Sequence, residues 1–290
     1  MITTNKPVYT KAEIDEMTYF DLIGVVRETN RPPGGAHSIR RIAQSAMLNP
    51  QSKVLEVGTS TGFTAIELAR ISGCHVYAID INEESLAEAR IRAKQYGVED
   101  KVTFCKQDAT AMAFEHESFD MVFCGNVTSY MDNKEKVISE YCRVLKPNGY
   151  VAAIPMYYID TPTTEFVHRV GKAIGVNLTP NYRQNCLDYY QVEPLDICWL
   201  EDYQFDNIEE SQVTKYVDEL TQREHLSALD MPASEALTNK YSEYMHLFRE
   251  NLAMMGFTLI LLRKEPVKID KELFTSTMIV QPTARKSSGK

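Results

Sequence analysis

Residues 53–155 predict an α/β fold, a doubly wound and mostly parallel sheet carrying a helical cap. Three observations predict it. Short apolar runs alternate with amphipathic stretches of helical length. The first run closes in a glycine loop, Glu56-Val57-Gly58-Thr59-Ser60-Thr61-Gly62, and the next two each end at an aspartate, Asp80 and Asp108. Strands alternating with helices of this length join through right-handed crossovers, and their ligands gather beyond the strands' carboxyl ends.

The elements follow in order. KVLEVG, 53–58, reads as the first strand, and FTAIELARIS, 63–72, as a helix turning Phe63, Ile66, Leu68 and Ala69 toward a sheet. HVYAID, 75–80, is the second strand. EESLAEARIRAKQYG, 83–97, is a helix with Asn82 as N-cap, acids in the first turn and Gly97 at its end. VTFCKQD, 102–108, and FDMVFCG, 119–125, are the third and fourth strands. KEKVISEYCRVL, 134–145, is an amphipathic helix stopped by Lys146-Pro147-Asn148-Gly149, and YVAAIP, 150–155, is the fifth strand.

The flanks differ. Residues 9–30 read as helical, RPPGG (31–35) breaks them, and 36–48 read as a second helix. Little β signal follows Pro155 for about fifty residues, a stretch rich in tyrosine and acids. A helix end entering a sixth strand is expected near Phe205, helix over 214–255 with a break near Pro232, and a seventh strand at 256–264. A late strand, TSTMIV, precedes a polar basic tail. The chain thus divides into an N-terminal helical lid segment (1–48), a cofactor-binding core (49–156), a cap insertion (157–204), the remaining core strands with a helical insertion (205–264), and a C-terminal strand and tail (265–290). The lid is expected to be mobile without ligand; the alternative is a permanent helix packed on the sheet.

Composition bounds the function. The 290 residues are 44% hydrophobic and 24% charged, ordinary for a globular protein. The longest apolar run, around Leu252 to Leu262, is far short of a membrane span, and MITTNKPVYT shows no secretory signal, so a cytoplasmic protein is expected. The net charge of −9 argues against a broad grip on nucleic acid, and Arg40, Arg41, Arg90, Arg92 and Lys94 are too scattered to form a patch. Cys74, Cys105, Cys124, Cys142, Cys186 and Cys198 form no C-x-x-C pair or zinc spacing; they read as reduced core thiols, and no metal is expected.

The glycine loop has the spacing G-x-x-x-G, with Ser60 where a dinucleotide loop needs a glycine against pyrophosphate. Glu56 at the strand end repels phosphate and suits an ammonium. Asp80, about twenty residues beyond the loop, suits ribose hydroxyls. Asp108, followed by Ala109, can accept from an exocyclic amine, and Gly125-Asn126 leave room and an amide at the centre. The alternatives are that Asp80 and Asp108 are helix N-caps or loop acids and that Glu56 pairs with an arginine. Taken together, these residues describe a nucleoside with a positive amino-acid tail, which S-adenosyl-L-methionine fits.

VLEVGTSTGF, VYAID, VTFCKQDATAM, FDMVFCGNV and RVLKPNGYV resemble, in order and spacing over about residues 50–156, the motifs of class I S-adenosylmethionine-dependent methyltransferases. FRENLAMMGFTLILLRK resembles the closing helix and last strand of that fold. The resemblance implies a seven-stranded Rossmann-like sheet with an antiparallel last strand. It also implies that Glu56, Gly58 and Gly62 shape the methionine pocket with Thr59 and Ser60, and that Asp80 holds the ribose with Ile81 beside it. Asp108 and Ala109 would meet the adenine, and Gly125 and Asn126 the sulfonium. Ser60 departs from the glycine many members carry. Arg31 of RPPGG would reach the cofactor carboxylate, or else is a surface arginine at a turn.

Methyl transfer needs alignment and exclusion of water more than a base. The acceptor is expected to be a small molecule, bound by Tyr19, Phe20, Tyr130, Tyr157, Tyr158 and Tyr190. His37, Asn126, Tyr157 and His168 are weak candidates for catalysis, and the catalytic group stays unassigned. Aromatic cap residues could instead pack the cap or form a homodimer face. Rival readings are aminocarboxypropyl transfer from the same cofactor and a non-catalytic cofactor-binding partner; Glu56 and Ser60 speak against a nicotinamide oxidoreductase.

Overall fold

The structure, a computed structural model, describes residues 9–265 together with 267 and 273. The late strand and tail expected at 275–290 lie outside the described residues.

Five strands form the parallel part of the sheet: β1 (Lys53–Val57), β2 (His75–Asp80), β3 (Val102–Lys106), β4 (Phe119–Phe123) and β5 (Leu145–Ala153). Their spatial order is β3-β2-β1-β4-β5. The winding therefore reverses between β1 and β4, and a crevice opens at their carboxyl ends. β8 (Met255–Lys264) lies antiparallel beside β5, and β7 (Leu195–Gln204) antiparallel beside β8. A short strand, β6 (Met156–Tyr158), makes eight. It continues the track of β5: Ala153 pairs with Ile260, Met156 pairs with Phe257, and between them the Thr258 N–H donates to the Pro155 carbonyl at 3.1 Å. Counted as one interrupted strand, β5 and β6 give the seven positions the motifs imply.

Helices cover both faces, which is why the strands are near-continuous apolar runs. On one face α3 (Gly35–Ser45), α4 (Phe63–Ser72) and α5 (Glu83–Gln95) bury Ile39, Ile42, Ala65, Leu68, Leu86 and Ala89 over Val54, Met121 and Leu259. On the other, α6 (Lys134–Val144) sets Val137, Ile138, Tyr141 and Val144 on Leu55, Val122 and Ile260. Asn82 caps α5 as expected, accepting from the Ser85 N–H at 3.0 Å.

Three expectations change. The single helix expected over 9–30 is two, α1 (Lys11–Glu16) and α2 (Tyr19–Val25), each started by a capping box, Thr10 with Glu13 and Thr18 with Asp21. The strand expected near Phe205 is β7, inside the range read as cap insertion. It is an edge strand, half exposed and carrying Asp196, Glu201 and Asp202, so it lacks an apolar run. Of the six thiols, Cys74, Cys124 and Cys186 are buried, whereas Cys198 is exposed on that edge.

Helices α7 (Thr164–Ile174) and α8 (Arg183–Asp188) precede β7, and α9 (Glu210–Thr221) and α10 (Met231–Ala253) follow it, with Pro232 in the first turn of α10. α1 and α2 bury Ile14, Leu22 and Val26 against Val213, Val217, Leu237 and Tyr241 of α9 and α10. The N-terminal segment is thus one half of a composite cap. Removing it would bare the apolar face of the other half.

Leu237→Ala is expected to cost about 2–5 kcal/mol by emptying this shared core. Urea titration checks the loss. Amide exchange should rise together in α2 and α10; a rise confined to α10 would separate the two halves.

Candidate functional site

The glycine loop spans the turn from β1 into α4. Gly58 and Gly62 have φ of +74° and +83°, in the left-handed region that favours glycine. A Cβ on Gly58 would lie 2.7 Å from the Val127 side chain, and one on Gly62 2.7 Å from Ala89. Both glycines are thus demanded by their backbone conformation and by packing against Val127 and Ala89. Ser60 also has a positive φ, +49°. A glycine would suit this position because of its backbone geometry, independently of any phosphate.

Glu56 corrects the expectation that it faces an ammonium. It is 3% exposed, and its carboxylate turns under the loop, accepting from the Thr59 hydroxyl at 2.6 Å. Burial pushes its pKa up to about 7, against the pull of hydrogen bonds from Thr59, Thr64 and the Ala65 N–H. Glu56 braces the loop and the start of α4 from inside. Thr59, whose hydroxyl is spent on it, is buried too.

Asp80 stands where the sequence placed it. One oxygen accepts the Ser60 N–H at 2.8 Å and the other the Asn82 N–H at 2.9 Å, so the carboxylate is clamped between the loop and α5 with further lone pairs available. Ile81 beside it is exposed and Ala109 is buried. Asp108 is exposed and accepts from the Thr110 N–H and hydroxyl at 2.7 and 2.8 Å, bonds that hold its pKa down. At Gly125 an added Cβ would only touch Phe123 and Pro32, at 3.8 and 3.9 Å. Of the loop glycines here, Gly125 is the one whose missing side chain leaves space. The Asn126 amide ties the floor together: Oδ1 accepts from Ser129 and from the Met156 N–H, and Nδ2 donates to the Tyr130 hydroxyl at 3.1 Å.

Residues 28–32 close the site from above. The Asn30 N–H donates to the Thr61 hydroxyl, which donates to the Glu28 carbonyl. The Arg31 guanidinium lies over the Phe63 ring at 5.0 Å, beside Gly62. The Glu28 side chain, 8% exposed, accepts from the hydroxyls of Tyr241 at 2.8 Å, Tyr19 at 3.1 Å and Tyr216 at 3.2 Å. Burial raises its pKa, opposed by those three donors. The sequence reading missed Glu28, Tyr216 and Tyr241, which lie far apart in the chain. It also passed over Arg92, although the residue sits on the apolar stripe of α5 with Leu86, Ala89 and Ala93.

Among the acceptor candidates, Tyr130 is exposed and the Tyr158 hydroxyl donates to the Asn251 side-chain Oδ1 at 2.6 Å. Phe20 is exposed on α2, and Tyr19 packs edge-on against Phe248 at 4.7 Å. Others lie elsewhere. Tyr190 is 1% exposed in the core beneath β4, its hydroxyl beside Cys124, so a ligand cannot reach it without opening the core. Tyr157 faces the β7 edge, where its hydroxyl donates to Asp202. His37 packs on Tyr203 of the same edge, at 3.3 Å from its hydroxyl. His168 is exposed on α7. Alternation along β6 sends Tyr157 and Tyr158 to opposite faces, and both are buried.

A family model described as a methyltransferase domain matches residues 48–215, more than half of the chain. An uncharacterised protein of Haemophilus influenzae is 33% identical over 155 residues, 53% of this chain and 62% of its own length. The sterol 24-C-methyltransferase of Saccharomyces cerevisiae is 37% identical over 111 residues, 38% of this chain and 29% of its own. The chain therefore spans less than two thirds of these curated relatives. The crystal structure of MccD protein superposes with a TM-score of 0.69 at 20% identity, covering 81% of this chain and all of that one; this likeness concerns the fold.

Two outcomes follow from the loop. Because native Glu56 holds its proton more tightly than the unfolded chain does, its contribution is fully present below pH 4.5 and is lost as pH rises through about 7. The swing is on the order of 3 kcal/mol, and Glu56→Gln should flatten it in melting curves taken across that interval. Ser60→Gly should relieve the left-handed backbone and stabilise by up to about 1 kcal/mol; unchanged or lower stability in urea titration would refute that.

Proposed function

This chain belongs to the methyltransferase-domain family, and on that premise we propose that it moves a methyl group from S-adenosyl-L-methionine, by in-line displacement, to a small-molecule acceptor. The observation that carries the reading is the convergence, at the carboxyl ends of β1, β2 and β4, of the left-handed glycine loop, the clamped Asp80 carboxylate and the open face of Gly125.

These residues fit the cofactor. Asp80 keeps lone pairs for two ribose hydroxyls, and Gly125 leaves the space a Cβ would fill. Asp108, with Ala109, stands at the β3 end for the adenine. Arg31 beside Gly62 is the cation for the carboxylate. The bound cofactor supplies a methyl carbon activated by a sulfonium and a neutral thioether leaving group.

The chain's own residues align and desolvate. Asn126 is a positioning residue: with both ends of its amide engaged, it fixes the floor that presents Tyr130. Tyr130 walls the acceptor side, with Tyr19 and Phe20 of the cap above. The composite cap of α1, α2, α9 and α10 excludes water, which favours displacement at a charged centre. His37 and His168 face other surfaces, so the reading assigns no histidine base.

The test uses S-adenosyl-L-methionine labelled in the methyl group with a panel of small amines, phenols and isoprenoids. Label should move to the acceptor with release of S-adenosylhomocysteine. Transfer of the aminocarboxypropyl group instead, or binding without any turnover, would overturn the reading. Asp80→Ala should weaken cofactor binding by about 1–3 kcal/mol in calorimetry.

A further inference from the structure

A cavity of about 330 Å³ lies between the outer faces of α4 and α5 and the cap. Its walls come from three regions: Phe63, Glu67 and Arg70 on α4, Glu88 and Arg92 on α5, and Arg27 with Arg223 and His225 from the cap. Four guanidiniums and two carboxylates meet there, in a chain whose net charge is −9.

The carboxylates are already engaged. Glu67 pairs with Arg70 at 3.2 Å and with Arg40 at 3.1 Å, and Glu88 pairs with Arg92 at 3.0 Å. Arg92 is spent on structure, giving its other nitrogens to Thr29, Thr61 and the carbonyls of Arg27 and Glu28. Arg223 gives Nη1 to the carbonyls of Val26 and Arg27 and has no carboxylate partner among the described residues. The Arg27 guanidinium has neither a hydrogen bond nor an ion pair among them, and its backbone is held in the left-handed region at φ +50°. His225 Nε2 meets the Val25 carbonyl at 2.9 Å, and its pKa is lowered by burial and by the charges of Arg27 and Arg223, with Glu88 acting the other way.

We propose that this cavity is a binding site for the phosphate dianion of a small phosphomonoester, held between Arg27 and Arg223. Two uncompensated guanidiniums match phosphate oxygens in geometry and charge. Phe63 and Ile66 supply an apolar wall for a small organic part, and the volume sits at the small end of ligand pockets. The bound dianion is held by the cap residues Arg27 and Arg223, over the apolar wall that α4 supplies. Neither arginine is among the residues assigned to the cofactor, so the site stands or falls independently of the proposed transfer reaction.

The experiment titrates the full chain with inorganic phosphate and with glycerol 3-phosphate by calorimetry, with succinate as a dicarboxylate control. Saturable binding of the phosphates is expected, weakened at least tenfold in Arg27→Gln and in Arg223→Gln, with cofactor affinity unchanged. On the unaltered chain, NMR titration should show the His225 pKa rising when phosphate is bound, a readout that needs no variant. Absence of saturable binding, equal binding by succinate, unchanged affinity in the folded variants, or a fixed His225 pKa would each overturn the assignment.

Discussion

The buried guanidinium of Arg92 ties the start of the cap to the glycine loop of the core. From α5 it reaches the Thr61 hydroxyl in the glycine loop, the Thr29 hydroxyl, and the carbonyls of Arg27 and Glu28 at the edge of the cap. It is 8% exposed. A charge buried to that degree is tolerable only when its donors are satisfied, because removing any acceptor leaves an expensive orphan. Its geometry therefore fixes where residues 27–30 sit, and so where the cap begins over the crevice.

Glu28 extends this constraint into the cap. Its backbone belongs to the Arg92 and Thr61 network, while its carboxylate gathers hydroxyls from α2, α9 and α10. One residue thus registers three cap helices against the loop at the carboxyl end of β1. The apolar contacts of Leu22, Val217 and Leu237 hold the cap together but are less directional; the polar buckle decides its orientation.

The same joint explains why one protein carries two kinds of electrostatic site. At the strand ends the loop meets the Asp80 carboxylate, Asp108 stands exposed beyond β3, and the loop's own Glu56 is withdrawn into the interior. On the outer side of α4 and α5 the arginines accumulate, with the acids among them already paired. Helices α4 and α5 form the partition between these two surfaces.

The amino-acid sequence by itself determined the central sheet and which residues stand at its strand ends. Alternating apolar runs, glycines at a strand end and aspartates closing successive strands are local signals, each set by a period of two or by a left-handed turn. They located β1 to β5 and β8, with Asp80 at the end of β2 and Gly125 just beyond β4. Tertiary structure decided the rest. An edge strand such as β7 has no apolar run to announce it. The direction of Glu56, inward rather than toward the crevice, depends on Thr59, Thr64 and Ala65 arriving from the turn. The burial of Tyr190 depends on Cys124 and the core around it. Arginines that look scattered along the chain, at 27, 70, 92 and 223, become neighbours only when a cap built from α1, α2, α9 and α10 packs beside α4 and α5. Contacts between residues more than two hundred positions apart follow from the packing of whole helices, which no local pattern encodes.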